Sequence, residues 1–364
     1  DPDLSKENTD FDKFLDELKL AIQSRFDLAE YIISRNGRKT IDFLHLTIFY
    51  IEVAHHKAWG NSKIMLEFYK LIDENIKKIV ELIKSINDNS TVIIMSDHGH
   101  TKLKDIFYTN EYFIEKGYLK SKTPRISNVM YKFGLTIDKL DPFVKRISLL
   151  RIAKKFVPSS LRDRIPNKDG LIPGPREFID KTNFDESKLF SPDGFTVYSL
   201  EEEDEEFISH VIEELENLKH PTTHEYVIEK VYRKNEIFSS PDENAPDLVI
   251  HTTDGYWASR EIRSENRIWS YTKTKWHGTH AREGIFIAYG KNIKNTSLDL
   301  NIYDIAPTIL HIFGLAIPKD VNGRVLREIF SENSEYAKRK PMYCDYEKVI
   351  VREKVKELKI KGKI

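Results

Sequence analysis

The segment from Thr91 to His100 constrains the fold more than any other part of the chain. It reads TVIIMSDHGH, so a β-branched, apolar run leads directly into an acid, an imidazole and a glycine. Such a short apolar run is typical of a buried strand that is covered on both faces. In open α/β sheets the ligand crevice lies beyond the carboxyl ends of the strands, where Asp97 and His98 fall. The pattern predicts a strand with polar side chains at its end, where Gly99 lets the backbone turn sharply or come close to a ligand.

A second apolar run, residues 43–51, is predicted to be another strand, and the same kinds of side chain follow it. Glu52 and His56 follow it four residues apart, so one helical turn would place both on the same side. A carboxylate and an imidazole are ligands suited to zinc or manganese. The alternative is that Glu52 caps a helix and His56 packs beside Trp59. Because two apolar runs end in this way, we favour metal binding.

A third candidate lies far downstream, in residues 276–284. This segment is predicted to be a turn that carries His277 and His280, and the strand-like run 285–289 follows it. A histidine in a loop is usually solvated. Because His280 precedes what reads as a third buried strand, we interpret it as a metal ligand.

Helical periodicity predicts amphipathic helices over residues 64–86 and 205–218, and a short helix over 108–117 with Gly117 as its C-cap. Residues 246–251 are typical of a further strand. The helix at 64–86 lies between two predicted strands, and strand–helix–strand units of this kind build parallel sheets.

These motifs, taken in order, resemble the alkaline phosphatase superfamily. Within it, they are most similar to the type I phosphodiesterase/nucleotide pyrophosphatase branch, in the soluble form found in archaea and bacteria. The segments DIAPTIL at 304–310 and NGRVL at 322–326 match as well, so the similarity runs from about residue 40 to about residue 330. The resemblance implies an α/β fold in which helices flank a predominantly parallel sheet, with a helical insertion or cap.

The resemblance also implies two adjacent divalent metal ions, for which zinc is expected and manganese is the alternative. It assigns Glu52, His56 and His280 to one ion, and Asp97 and His98 to the other. A catalytic zinc normally takes three protein ligands and keeps one position open, so the first set is complete and the second lacks one ligand. Family members usually have Asp where this chain has Glu52. We expect all five side chains to converge at the carboxyl edge of the sheet.

The missing ligand and the nucleophile are expected upstream of this chain. Members of the family begin with a strand that bears an Asp ligand, followed by a Thr, Ser or Cys nucleophile at a helix N-terminus. Residues 1–40 are instead charged and have helical periodicity, and the chain begins with Asp1. We therefore assign no catalytic nucleophile within residues 1–364, and expect this chain by itself to have little activity.

Changes in composition along the chain suggest five segments. Those are a helical segment that ends a cap or insertion (1–40), a first part of the α/β core (41–120), a basic, proline-containing insertion or lid (121–195), a second part of the core (196–335) and a C-terminal tail (336–364).

Composition limits the classes of partner. The 57 Lys and Arg residues nearly cancel the 58 Asp and Glu residues, so no global field favours nucleic acid. Cys344 is the only cysteine, which excludes internal disulfides and fits a reducing, cytoplasmic location. No apolar run is long enough for a membrane-spanning helix, and the oligomeric state stays open.

We therefore expect metal-dependent hydrolysis of a phosphodiester or nucleotide pyrophosphate bond in a small phosphate-ester substrate. The alternatives within the superfamily are a phosphomonoesterase, a phosphoglycerate mutase and a sulfatase. A different class of function, a catalytically silent metal-binding interaction module, also fits a chain that lacks the nucleophile.

Overall fold

The computed structural model describes residues 10–36, 41–122, 179, 181–200, 205–238, 242–263, 267–270 and 276–346. Most of the predicted insertion at 121–195, and part of the predicted tail at 336–364, lie outside these residues.

The helices are α1 (Phe11–Asn36), α2 (Tyr50–Ala58), α3 (Ser62–Ile86), α4 (Thr109–Lys116), α5 (Glu205–Glu216), α6 (Lys234–Ile237), α7 (Ile305–Ile312) and α8 (Glu335–Lys338). The strands are β1 (Val92–Met95), β2 (Gly99–Lys102), β3 (Asp105–Tyr108), β4 (Leu189–Phe190), β5 (Thr196–Ser199), β6 (Ile228–Arg233), β7 (Leu248–Thr252), β8 (Tyr256–Ser259), β9 (Gly278–Ala281), β10 (Phe286–Tyr289), β11 (Ile317–Pro318) and β12 (Tyr343–Cys344).

The chain forms two compact units. Unit 1 comprises Asp1–Ala54, Asn61–Gly99 and Arg282–Ile364, and unit 2 comprises His55–Gly60 and His100–Ala281. The five segments predicted from composition divide the chain differently, and their boundaries remain a prediction.

Helices α1 and α3 of unit 1 are held together by an apolar stripe on each. Phe14, Leu18 and Ile22 recur at helical spacing on α1 and are fully buried, as is Phe68 on α3. The predicted helix at 64–86 is thus confirmed, with a start two residues earlier, at Ser62.

In unit 1, the sheet of β1 and β10 leads to the Asp97–His98 motif, and several of its apolar side chains are exposed. Strand β1 pairs antiparallel with β10, with Val92 opposite Tyr289. Met95 is 40% exposed and Ile287 is 53% exposed. The strand at 91–95 is confirmed, but the prediction that it is covered on both faces is wrong, because apolar side chains of this pair remain at the surface.

The predicted strand at residues 43–51 is wrong. Residues 41–48 form no strand, and α2 begins at Tyr50. Leu46 and Ile48 pack against the α1–α3 core, whereas Phe43 is exposed. The alternating apolar pattern thus reflects packing of an extended chain on helices, and the predicted strand–helix–strand unit does not form.

The main core of unit 2 lies between a sheet and helix α5. The sheet has the order β4-β5-β7-β6, and its neighbouring strands are antiparallel. Its buried residues, such as Val197 and Leu248, pack with Val211 and Leu215 of α5. The strand predicted at 246–251 corresponds to β7. Helix α4 ends at Gly117 with a φ of 79°, which confirms the predicted C-cap.

The α/β class is confirmed by this mixture of helices and strands. Parallel pairs among the described strands include β3–β8 and β11–β12. A smaller fraction of the strand pairs is parallel than the apolar runs predict, because short apolar runs also occur in antiparallel strands. Among the described helices, none is both long and apolar enough to cross a membrane.

Replacing Phe68 with Ala should reduce the free energy of unfolding by about 3–5 kcal/mol, because a fully buried ring would leave a cavity between α1 and α3. The matched control is Leu66→Ala on the same helix, where the side chain is 53% exposed and the expected change is within about 0.5 kcal/mol. Urea unfolding measures both variants, and equal losses would contradict the assigned core.

Candidate metal centre

Helix α2 places Glu52 in its first turn and His56 in its last turn. The predicted helical turn between these two residues is therefore present. His56 is buried, and its Nδ1 lies 2.9 Å from the carbonyl oxygen of Gly278. Because a carbonyl oxygen can only accept a hydrogen bond, Nδ1 is the donor, and in the neutral ring Nε2 carries the lone pair. Metal-binding histidines are commonly oriented by such a bond.

The segment around His280 is a strand and not the predicted turn. Residues Gly278–Ala281 form β9, which pairs with β2. Gly99 is correspondingly part of β2 and makes no sharp turn. The backbone N–H of His277 donates to the carbonyl of His56 at 2.7 Å, which fixes β9 to α2. This pairing joins strands that are far apart in the sequence, so no local pattern reveals it. For that reason the sequence predicts turns around Gly99 and His280.

The close contact between β9 and the end of α2 depends on Gly278. A Cβ at this position would lie 2.6 Å from the carbonyl oxygen of His55 and 3.0 Å from the Cβ of Trp59. Since real Cβ atoms do not approach backbone this closely, another residue would push β9 away from α2.

Three imidazoles come together within unit 2. The ring centroids of His56 and His280 are 5.1 Å apart, and His100 lies 5.0 Å from the first and 5.3 Å from the second. One potential ligand nitrogen from each ring lies within 4.8 Å of the others. Sequence reasoning missed His100, although it stands two residues after His98. We call these three residues the imidazole triad.

Indole rings line the imidazole triad. Trp276 lies 4.5 Å from His56, and Trp257 lies 5.1 Å from His280, measured between ring centroids. Rings of this size restrict the rotamers of their neighbours, which favours a preorganised site.

A second group forms within unit 1. The Nε2 atom of His98 is 3.4 Å from Oδ2 of Asp97 and 4.0 Å from Oε1 of Glu52. The Nδ1 atom of His98 donates to the carbonyl of Gly99 at 3.0 Å, which directs Nε2 towards the two carboxylates. We call these three residues the carboxylate group.

The predicted ligands are thus found in both units. His56 and His280 meet in unit 2, and Glu52, Asp97 and His98 meet in unit 1. Convergence of all five residues, and their division between two ions, remain predictions.

The imidazole triad fits a divalent ion of the zinc type. Zinc–nitrogen bonds of about 2.0–2.1 Å in a tetrahedral site put the nitrogens about 3.4 Å apart. The three nitrogens lie within 4.8 Å of one another, so side-chain rotations would be needed to bring them to this spacing. The His56 tautomer already presents the required lone pair.

Another buried pair in unit 2 is structural in character. His220 donates from Nε2 to Asp105 at 3.0 Å, and its Nδ1 accepts from the backbone N–H of Thr223 at 3.2 Å. Because both ring nitrogens are engaged, this pair offers no position for a substrate or a metal ion. It joins β3 to the loop after α5.

The fold and the clustered ligand groups describe an α/β protein with candidate metal sites. The family described as type I phosphodiesterase/nucleotide pyrophosphatase matches residues 5–280. The chain belongs to this family, which confirms the resemblance to the alkaline phosphatase superfamily.

Similar solved structures include a wild-type alkaline phosphatase, PafA, with 16% identity, a TM-score of 0.48, and coverage of 86% of this chain and 53% of that chain. A murine ectonucleotide pyrophosphatase/phosphodiesterase 5, an inactive form in complex with AMP, has 13% identity, a TM-score of 0.41, and coverage of 77% and 56%. The human counterpart has 13% identity, a TM-score of 0.39, and coverage of 78% and 56%. The chain therefore spans about half the length of these proteins. No curated protein matches it.

Replacing Gly278 with Ala should lower zinc affinity by at least about 10-fold and stability by about 1–3 kcal/mol, because the added methyl separates β9 from α2. The control is Gly117→Ala, where φ is 79° and nothing lies within 4 Å of a Cβ. This substitution should cost about 1–2 kcal/mol through backbone strain alone and leave zinc affinity unchanged. Zinc titration with urea unfolding compares them, and equal zinc affinities would contradict the role of Gly278.

Proposed function

We propose that this protein hydrolyses phosphodiester or nucleotide pyrophosphate bonds with the help of two bound divalent ions, zinc being expected. Two findings together support the proposal. The chain matches the family over residues 5–280, and the ring centroids of His56 and His280 lie 5.1 Å apart. Zinc is a borderline ion that imidazole suits.

The residues of the chain have separable tasks in this proposal. The carbonyl of Gly278 holds His56 in the tautomer that presents Nε2. Asp97 and Glu52 contribute negative charge beside His98, which suits a second divalent ion. When bound, ions of this kind act as Lewis acids that polarise a phosphoryl oxygen and stabilise the entering and leaving oxygens.

The nucleophile is proposed to lie upstream of residues 1–364, as the resemblance implies. The exposed apolar side chains of the β1–β10 pair support this part of the proposal. In β10, Ile287 is 53% exposed and Tyr289 is 49% exposed, and Ile285, which directly precedes β10, is 58% exposed. The resemblance implies an upstream strand followed by a helix, and such a helix would cover this surface, since exposed apolar patches are otherwise prone to aggregate.

The substrate is proposed to be a small phosphate ester, and the location cytoplasmic. The location rests on Cys344 being a lone, unbridged cysteine. A phosphomonoesterase, a phosphoglycerate mutase or a sulfatase would use the same ligand groups, and the assay below separates these reactions by their substrates.

The test uses the protein extended through the upstream segment, with bis-p-nitrophenyl phosphate, p-nitrophenyl phosphate and p-nitrophenyl sulfate. We expect the diester to be preferred. His98→Ala and His280→Ala should each lower kcat by more than about 100-fold, because loss of a ligand costs more than the 10–100-fold typical of outer partners.

The matched control for these variants is His251→Ala. His251 lies in β7 and faces Glu229 at 3.8 Å, outside both ligand groups, so its loss should change kcat less than about twofold. Residues 1–364 alone should hydrolyse the diester slowly. A preference for sulfate or monoester, or rapid turnover by residues 1–364, would contradict the corresponding part of the proposal.

A further inference from the structure

We propose that His100 is the third imidazole of a zinc-type site that it forms with His56 and His280. This inference rests on the proposed function for the use of the ion in hydrolysis, although not for its binding. The resemblance gives the third position to Glu52 and gives His100 no role. The structure brings a nitrogen of His100 within 4.8 Å of a nitrogen of His56 and of a nitrogen of His280.

The imidazole triad is close to an equilateral triangle. Its three centroid distances are 5.0, 5.1 and 5.3 Å. Three rings spaced in this way can share an ion when one nitrogen of each ring points towards a common centre. One nitrogen of each ring lies within 4.8 Å of the others.

Paired strands hold two of the three rings. His100 lies in β2 and His280 lies in β9, and these strands form one two-stranded sheet. Because side chains alternate between the faces of a sheet, a shift by one residue would turn either ring away. His56 is held against the same sheet by its hydrogen bond to Gly278.

The ligand set predicts which ions bind. Three imidazoles supply neutral nitrogen donors, which suit zinc, nickel, copper and cobalt, whereas magnesium and calcium require oxygen donors. Three histidines around zinc also leave a fourth position open, as in catalytic sites. The imidazole triad should therefore discriminate strongly against magnesium and calcium.

The alternative role for His100 is packing against His55. The centroids of these two rings are 4.6 Å apart, closer than any pair in the imidazole triad. His55 is adjacent to His56 on α2 and lies outside the ligand group found among the described residues. It is therefore the matched control, since its loss removes a ring contact of His100 without removing a proposed ligand.

Tryptophan fluorescence provides a direct readout of binding. Three of the four tryptophans in the chain lie beside the imidazole triad. Trp257 and Trp276 contact His280 and His56, and the ring centroid of Trp59 lies 6.4 Å from that of His100. An ion bound at the triad should therefore change the emission, which needs no substrate.

The experiment titrates zinc into the metal-free full-length protein, in competition with a chromophoric chelator, and follows fluorescence. We expect His100→Ala to weaken the site monitored by fluorescence by at least about 100-fold, as for loss of a direct ligand. His55→Ala should change its affinity less than about threefold, within the scatter for a residue that is not a ligand.

The variant His100→Cys separates ligation from packing, because a thiolate also binds zinc. It should recover at least about 10-fold of the affinity lost in His100→Ala, and circular dichroism checks the fold of each variant. Any of four results would overturn the inference. Two concern the matched pair: unchanged zinc affinity in His100→Ala, or equal losses of affinity in His55→Ala and His100→Ala. The others are a larger loss of affinity in Glu52→Gln than in His100→Ala, or no recovery of affinity in His100→Cys.

These outcomes are distinct from failure of the proposed function. A protein that binds zinc through His100 and cleaves no phosphodiester would contradict the function and support the inference. A diesterase whose zinc affinity does not depend on His100 would support the function and contradict the inference.

Discussion

The approach of strand β9 to the carboxyl end of α2 is the contact on which the candidate site depends. It requires a residue without a side chain at Gly278, because a Cβ would lie 2.6 Å from the carbonyl oxygen of His55. The same approach allows the backbone bond between His277 and His56, and the bond from His56 Nδ1 to Gly278. One contact therefore sets both the position and the tautomer of an imidazole, and it brings His280 alongside.

The two ligand groups differ in chemistry. The imidazole triad offers nitrogen donors, whereas the carboxylate group combines His98 with the oxygens of Glu52 and Asp97. Nitrogen donors favour borderline ions, and added carboxylates admit harder ions such as manganese. Ions bound at the two groups should therefore differ in affinity and in selectivity.

Local patterns predicted local structure well. The strand at 91–95, the helix at 64–86 and the cap at Gly117 agree with the structure because periodicity and capping depend on near neighbours. The segment 43–51 was misassigned because an extended chain packed on helices alternates like a strand. His100 was missed because its partners reach it through the pairing of β2 with β9, which no local pattern encodes.

The most direct test of the imidazole triad is anomalous X-ray scattering from crystals of the zinc-loaded protein, recorded on both sides of the zinc absorption edge. We expect a peak bonded to one nitrogen each of His56, His100 and His280, with distances of about 2.0–2.1 Å. A peak bonded to His56 and His280 with Glu52 as the third ligand, or zinc bound only at Asp97 and His98, would contradict it.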